Sequence, residues 1–314
     1  MILTLATVVL PVFLVIAAGW AAARSGLFAP SGVDGLMVFA QNFAVPCLLF
    51  RGIAELDLGA VFDPRLLTSF YAGAVLCFAL GILGARAIFR RRPGEAVAIG
   101  FGALFSNSLL LGIPIMERAY GAAALAPNFA IIAIHAPFCY LLGITAMEFT
   151  RADGRGLADT LRAVARSMFR NALMIGLGLG FLVNVSGLDL PEPPRIAVDM
   201  MADAALPAAL FGLGGVLTRY ALRAQLGEAG MIAGLSLVLH PGIAYALAHH
   251  VFALPPDFVR SAVVTAAMAP GVNVYVFANL YARGQAQAAS VVLLGTAASV
   301  LTVSAWLSLL ARLA

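Results

Sequence analysis

Apolar residues in this chain come in long unbroken runs, without the alternation of a half-buried strand or the three-and-four spacing of a surface helix. Ten such runs lie near 2–23, 33–50, 66–89, 95–117, 127–149, 171–187, 198–219, 229–253, 258–281 and 286–311. A helix of about 20 apolar residues crosses the hydrocarbon core of a bilayer. The pattern therefore predicts an all-α integral membrane protein with ten spans and almost nothing left for a soluble domain. Two runs are interrupted at comparable places, by Ser106, Asn107, Gly112, Ile113 and Pro114 in the fourth and by Ala269, Pro270, Gly271 and Asn273 in the ninth. Proline inside a span removes a backbone donor and frees a carbonyl one turn earlier, and those groups need partners in protein, water or a ligand. A matched pair of interruptions points to a solute site near the bilayer midplane.

Composition adds orientation. Hydrophobic residues make up 62% of the 314 positions, charged residues 11%, and the mean hydropathy is +0.98. All 19 basic residues are arginine. Thirteen fall on one side of the predicted spans: Arg24, Arg86, Arg90, Arg91, Arg92, Arg151, Arg155, Arg162, Arg166, Arg170, Arg219, Arg223 and Arg283. The other six are Arg51, Arg65, Arg118, Arg195, Arg260 and Arg312. By the positive-inside bias the richer side is cytoplasmic and both termini face outward. The net charge of +4 restates this bias; scattered arginines in short loops make no nucleic-acid patch. The first run reads as a retained span, since it lacks a basic lead-in and exceeds a signal-peptide core. Cys47, Cys77 and Cys139 lie within spans at no metal-binding spacing, as buried apolar residues would.

The basic segment 151–170 divides the chain into residues 1–150 and 171–314, five spans each. Within it Leu157, Leu161, Val164 and Met168 recur at helical spacing, which suits either an interfacial helix or a solvated linker. The second run contains Ala44-Val45-Pro46-Cys47-Leu48-Leu49-Phe50 and the seventh Ala205-Leu206-Pro207-Ala208-Ala209-Leu210-Phe211, identical at four of seven positions. An odd number of spans per half makes such repeats inverted, so that Pro114 and Pro270 become symmetry partners.

Ser106, Asn107 and Ser108 precede one break, while Asn273, Tyr275, Phe277 and Tyr281 follow the other. Half-helix N-termini meeting at a crossing would present free N–H groups and partial positive charge, suited to a carboxylate. The central thirds of the spans contain no carboxylate, which argues against a tightly bound cation. His135 and His240 sit within spans and could donate, accept or carry a proton. Asp199 and Asp203 share a helix face that by default meets water, and Glu117 and Arg118 are expected to form an exposed pair. Gly176, Gly178 and Gly180 suit close helix approach. No HExxH, GxSxG or paired intramembrane aspartate supports an enzyme, and no cofactor is implied.

Asn42-Phe43-Ala44-Val45-Pro46, Ser106-Asn107 through Gly112-Ile113-Pro114 to Tyr120-Gly121, Leu206-Pro207 through Leu210-Phe211, and Val276-Phe277-Ala278 to Tyr281 together resemble the auxin efflux carrier family, which includes bacterial transporters and the plant PIN-FORMED proteins. The resemblance implies inverted five-helix repeats, a scaffold carrying most of the second and seventh spans, and a mobile bundle in which helices 4 and 9 cross at their prolines. It places solute near Asn107, Gly112, Ile113 and Pro114 on one side and Pro270, Gly271, Val272 and Asn273 on the other, with His135 where plant relatives carry glutamine. It also implies a homodimer. The long cytoplasmic loop of many plant members shrinks here to about residues 151–170, and the third span lacks the acidic residue plant relatives carry, so kinase regulation and proton linkage do not transfer.

The function expected is a secondary carrier in a bacterial inner membrane, moving a small organic anion such as a dicarboxylate or auxin-like acid by an elevator form of alternating access. A sodium-coupled carrier of the bile acid symporter type, a cation/proton antiporter with the same crossing, and a receptor that binds without transporting remain open alternatives.

Overall fold

The structure is a computed structural model that describes residues 5–150, 162, 171–220 and 225–312. The expected interfacial helix of the basic segment lies outside the described residues. What is described is helical, and the one β-type pairing is a single bridge. In chain order we label α1 Ala6–Arg24, α2 Pro30–Ala54, α3 Pro64–Ala87, α4 Pro93–Leu104, α5 Ile113–Tyr120, α6 Ala126–Phe149, α7 Ala172–Ser186, α8 Glu192–Leu217, α9 Leu226–Val251, α10 Pro256–Ala266, α11 Asn273–Leu280 and α12 Gln285–Leu310. Among the described residues, seven of these are long and apolar enough to span a membrane: α1, α2, α3, α6 (counted from Ala122), α8, α9 and α12.

Helix starts follow from local chemistry. Pro30, Pro64, Pro93 and Pro256 occupy first turns, where no N–H is missed. Asp63 caps α3 by accepting from the Arg65 amide at 2.7 Å, and Asn171 caps α7 through the Leu173 amide at 2.9 Å. Asp63 lies outside the span, and its hydrogen bond from the Arg65 side chain holds its carboxyl below the usual range.

Proline shapes the helices in a repeated way. Wide π-helical turns at Leu5–Val9, Ala40–Ala44, Ser108–Gly112 and Leu235–Leu239 each end two residues before a proline, at Pro11, Pro46, Pro114 and Pro241. The proline ring presses on the carbonyl four residues back, and widening the turn moves that carbonyl aside. Amides just before the prolines then reach five residues back, as in Val45 to the Ala40 carbonyl and His240 to the Leu235 carbonyl.

Packing divides the chain into two compact units, each drawing on both halves of the sequence. One comprises Met1–Leu10, Phe62–Leu161 and Tyr220–Ala314; the other comprises Pro11–Val61 and Arg162–Arg219. Units of packing thus do not coincide with the sequence halves.

The second unit is built from α1, α2, α7 and α8, and glycine lets their backbones meet. A Cβ at Gly19 would lie 1.9 Å from the Phe211 carbonyl oxygen, and one at Gly214 would lie 1.9 Å from that of Ile16. On α7, Gly176 and Gly180 pack in the same way on the carbonyls of Pro46 and Phe50, whereas Gly178 faces open space. Asn184 donates to the carbonyls of Ile53, Ala54 and Leu56 at 3.0, 3.0 and 2.6 Å, closing the end of α2. Asp199 and Asp203 do more than face water: Arg51 donates to both, at 3.3 and 2.9 Å.

The first unit holds α3 to α6 and α9 to α12. Its apolar centre joins Cys77, Ala85, Ile99, Ile232 and Val291 from α3, α4, α9 and α12. Arg91 donates through Nε to Glu228 at 2.7 Å, so a nearly buried carboxylate at the head of α9 has a full counter-charge. The expected Glu117–Arg118 pair does not form among the described residues. Arg118 instead donates to the Thr7 carbonyl at 2.8 Å, the residues up to Leu10 belonging to this unit.

Candidate functional site

Between α4 and the turn leading into α5, the chain leaves the helix at Phe105, Ser106 and Asn107. Between α10 and α11 it leaves the helix from Ala267 to Val272. The two extended segments lie antiparallel with Ser106 opposite Pro270. The Asn107 amide donates to the Ala269 carbonyl at 2.8 Å, and the Gly271 amide donates to the Phe105 carbonyl at 3.1 Å. Each segment satisfies the other, which is how irregular backbone persists inside an apolar unit. Pro270 occupies the position of this bridge that needs no N–H.

One break lies where the proline signal placed it, at Pro270. The other is displaced: Gly112 closes the wide turn, Ile113 and Pro114 open the helix that follows it, and the chain unwinds about two turns earlier. The physical reason is that Pro114 is accommodated by the π turn, whereas Phe105–Asn107 has an extended partner across the unit. Pro114 and Pro270 are therefore not opposite each other; Ser106 and Pro270 are.

Beyond the bridge, donors accumulate. Ser108, Leu109 and Leu110 in one segment, and Val272 and Asn273 in the other, have N–H groups with no acceptor among the described residues, because each begins a helix. The side-chain carboxamide of Asn107, a residue 7% exposed, also has no partner among the described residues, its backbone N–H being the one bonded to Ala269. So does the buried Ser106 hydroxyl. Tyr140 on α6 donates its hydroxyl to Asn273 Oδ1 at 3.0 Å, which leaves the NH₂ end of that amide free to donate. No carboxylate takes part in the hydrogen bonding of the crossing.

An aromatic wall stands behind these groups. Phe101 of α4 and Phe277 of α11 stack at 4.0 Å, with Phe105 and Tyr140 each within 6 Å of Phe101. His135 turns Nε2 toward the Ser106 carbonyl at 3.2 Å. Gly295 of α12 presses on the crossing from another side, where a Cβ would come within 2.6 Å of Pro270 Cδ.

Ser106, Asn107, Pro270, Gly271 and His135 thus converge directly. Asn273 joins through Tyr140, and Gly112 lies one turn along, against Met268. Ile113 and Pro114 are buried further into the helix. Phe105, Tyr140 and Gly295 were not singled out from sequence. Phe105 precedes the serine-asparagine pair, but nothing local marks a tyrosine or glycine on other helices as neighbours of the break.

Comparison with known proteins gives the family. A "Putative malonate transporter" of Rhizobium meliloti (strain 1021) is 26% identical over 306 residues, covering 96% of this chain and 94% of its own. An "Uncharacterized transporter" of Methanothermobacter thermautotrophicus is 26% identical over 253 residues, covering 76% and 78%. The family profile described as "Membrane transport protein" matches residues 4–307, nearly the whole chain. With a family match of that extent on a multi-pass helical architecture, the chain belongs to the membrane transport proteins of the auxin efflux carrier family.

Proposed function

We propose that the chain is a secondary active carrier for a small organic anion, held at the crossing between the two extended segments. The observation that carries this is the set of donors there that have no partner among the described residues: five backbone N–H groups, the side-chain NH₂ groups of Asn107 and Asn273, and the Ser106 hydroxyl, with no carboxylate beside them. Such a set stabilises negative charge, as helix N-termini do. The name of the Rhizobium relative supports a small dicarboxylate as the substrate class.

In this mechanism α4–α5 and α10–α11 each count as one interrupted span. Together with α7 and the seven long helices they make ten spans in two inverted repeats, 1–150 and 171–314. The unit carrying the crossing moves relative to the other, exposing the donors to each side of the membrane in turn. We place both termini outside a bacterial inner membrane, and the protein as a homodimer through the unit that lacks the crossing.

Hydrogen bonds to a charged ligand contribute about 1.5–3 kcal/mol each. Asn107→Ala and Asn273→Ala should therefore each weaken malonate counterflow in proteoliposomes about tenfold or more, and Arg162→Ala should leave it unchanged. Wild-type flux in both asparagine variants would refute the site. Tracer flux into sealed vesicles distinguishes a carrier from a receptor, and a sodium requirement would favour the bile acid symporter type.

A further inference from the structure

The crossing is backed by two buried imidazoles with different connections. His135 and His240 are 3% and 1% exposed. Each sets Nε2 against a backbone carbonyl, His135 against Ser106 at 3.2 Å and His240 against Phe70 at 3.0 Å. A carbonyl only accepts, so each Nε2 carries a hydrogen and each neutral ring keeps its lone pair on Nδ1. At His135 the one partner of that nitrogen among the described residues is the thiol of Cys139, at 3.7 Å.

The titratable groups facing His135 are few. Cys139 and Tyr140 lie on its own helix, Tyr71 faces it from α3 with rings 6.2 Å apart, and His240 of α9 lies beyond Phe70, whose ring is 5.5 Å from one imidazole and 4.9 Å from the other. Phe105 closes the side toward α4 at 4.8 Å. From α10 the neighbours of α6 are Ser261 and Thr265, both bonded to Asn128. None of these groups supplies a counter-charge for an imidazolium.

A positive ring in such a shell is an unpaired buried charge, and an anion resting on N–H dipoles beside Asn107 also lacks a full counter-charge. The Ser106 carbonyl joins the two places, since His135 bonds to it and Asn107 is the next residue. Each charge is best accommodated when the other is present, which is a coupling free energy between two ligands.

We propose that His135 couples the carrier to protons: its Nδ1 lone pair accepts a proton from water as the anion binds, and the imidazolium returns that proton when the anion leaves. One proton then travels with each anion. The proposal rests on the anion site described above. His240, bonded to a carbonyl in α3 away from the crossing, has no such connection and serves as a structural donor.

The test uses the full-length purified chain with malonate as probe. In weakly buffered solution near neutral pH, malonate binding to wild type should draw protons from the medium, as reported by a pH indicator. His135→Gln keeps an N–H for the Ser106 carbonyl but has no titratable nitrogen, so binding should take up about one proton fewer per site. In proteoliposomes an acid-outside gradient should drive malonate accumulation by wild type and by His240→Gln. The His135→Gln variant should lose gradient-driven accumulation by a larger factor than it loses exchange of labelled malonate. Equal proton uptake and equal accumulation in His135→Gln would overturn the proposal, as would malonate binding by wild type with no proton uptake, whether or not the variant folds. If wild type neither binds nor exchanges malonate, the anion site itself fails and the coupling fails with it.

Discussion

Proline enters membrane-embedded helices in both compact units, and the two units handle it differently. In the unit of α1, α2, α7 and α8, Pro46 is passed by a π turn and α2 continues, while α8 runs without interruption from Glu192 to Leu217 through Pro207. Neighbouring backbone closes on these helices, with Gly176 against the Pro46 carbonyl. In the other unit the helix stops at Ala266, ahead of Pro270, and the backbone on either side of that proline bonds to a second extended segment at Phe105 and Asn107. Pro114, in that same unit, stays inside helix. Proline alone therefore does not open a helix; a second segment able to take the freed backbone groups does.

Glycine differs between the units in a parallel way. At Gly214 a Cβ would fall 1.9 Å from a carbonyl oxygen held in a helix, so nothing can yield without moving α1 from α8. At Gly271 it would meet Asn107 Cα at 3.5 Å, an ordinary contact, and no positive φ is needed there. Overpacking of tight interiors costs about 1–3 kcal/mol and sometimes more. Gly214→Val should reach or exceed the top of that range, about 3 kcal/mol, seen as a large drop in melting temperature in detergent. Gly271→Ala should melt like wild type while changing malonate affinity, because the added methyl intrudes beside Asn107. Equal melting of both variants would remove the distinction between a glycine that joins helices and a glycine that borders a site.

How far the sequence revealed this arrangement depends on whether the cause was local. Three helices start two residues ahead of the predicted apolar runs at 66, 95 and 258, for a local reason, since Pro64, Pro93 and Pro256 act within their own first turns. The interruption at Pro270 was legible for the same reason. The interruption at Phe105–Asn107 was misplaced toward Gly112–Pro114, since its cause is the Ala269–Gly271 segment more than 160 residues away. Asn107 and His135 stood out as polar residues in apolar runs, whereas Tyr140 and Gly295 blend into theirs. The pairing of Arg51 with Asp199 and Asp203 was hidden because each charge sits at the end of a different span, where exposure to water is the default.

Tyr140 gives a smaller test within the unit of the crossing. Its hydroxyl fixes the Asn273 amide with the carbonyl end inward. Tyr140→Phe keeps the ring and its packing on Phe101 and Phe105 but frees the amide to turn. A net hydrogen bond contributes about 1 kcal/mol, so the KM for malonate should rise roughly fivefold with Vmax little changed. A fall in Vmax at constant KM would assign the hydroxyl to the moving step instead of to solute binding.

The smallest effect belongs to the other unit. Arg51 and its two aspartates keep 31%, 40% and 73% of their side-chain surface in water, in contrast to the nearly buried Glu228 held by Arg91. Exposed pairs contribute about 0–1 kcal/mol and are screened by salt. Arg51→Ala also leaves Asp199 and Asp203, one helical turn apart, facing each other without a cation, which adds a repulsion of a few tenths of a kcal/mol. The expected outcome is a melting temperature slightly below wild type at low salt, with the difference vanishing near 1 M salt. A large loss that persists in high salt would mean that this charge cluster, and not close helix packing alone, holds α2 to α8, and that polar groups matter to the cohesion of this unit as well as to the crossing in the other.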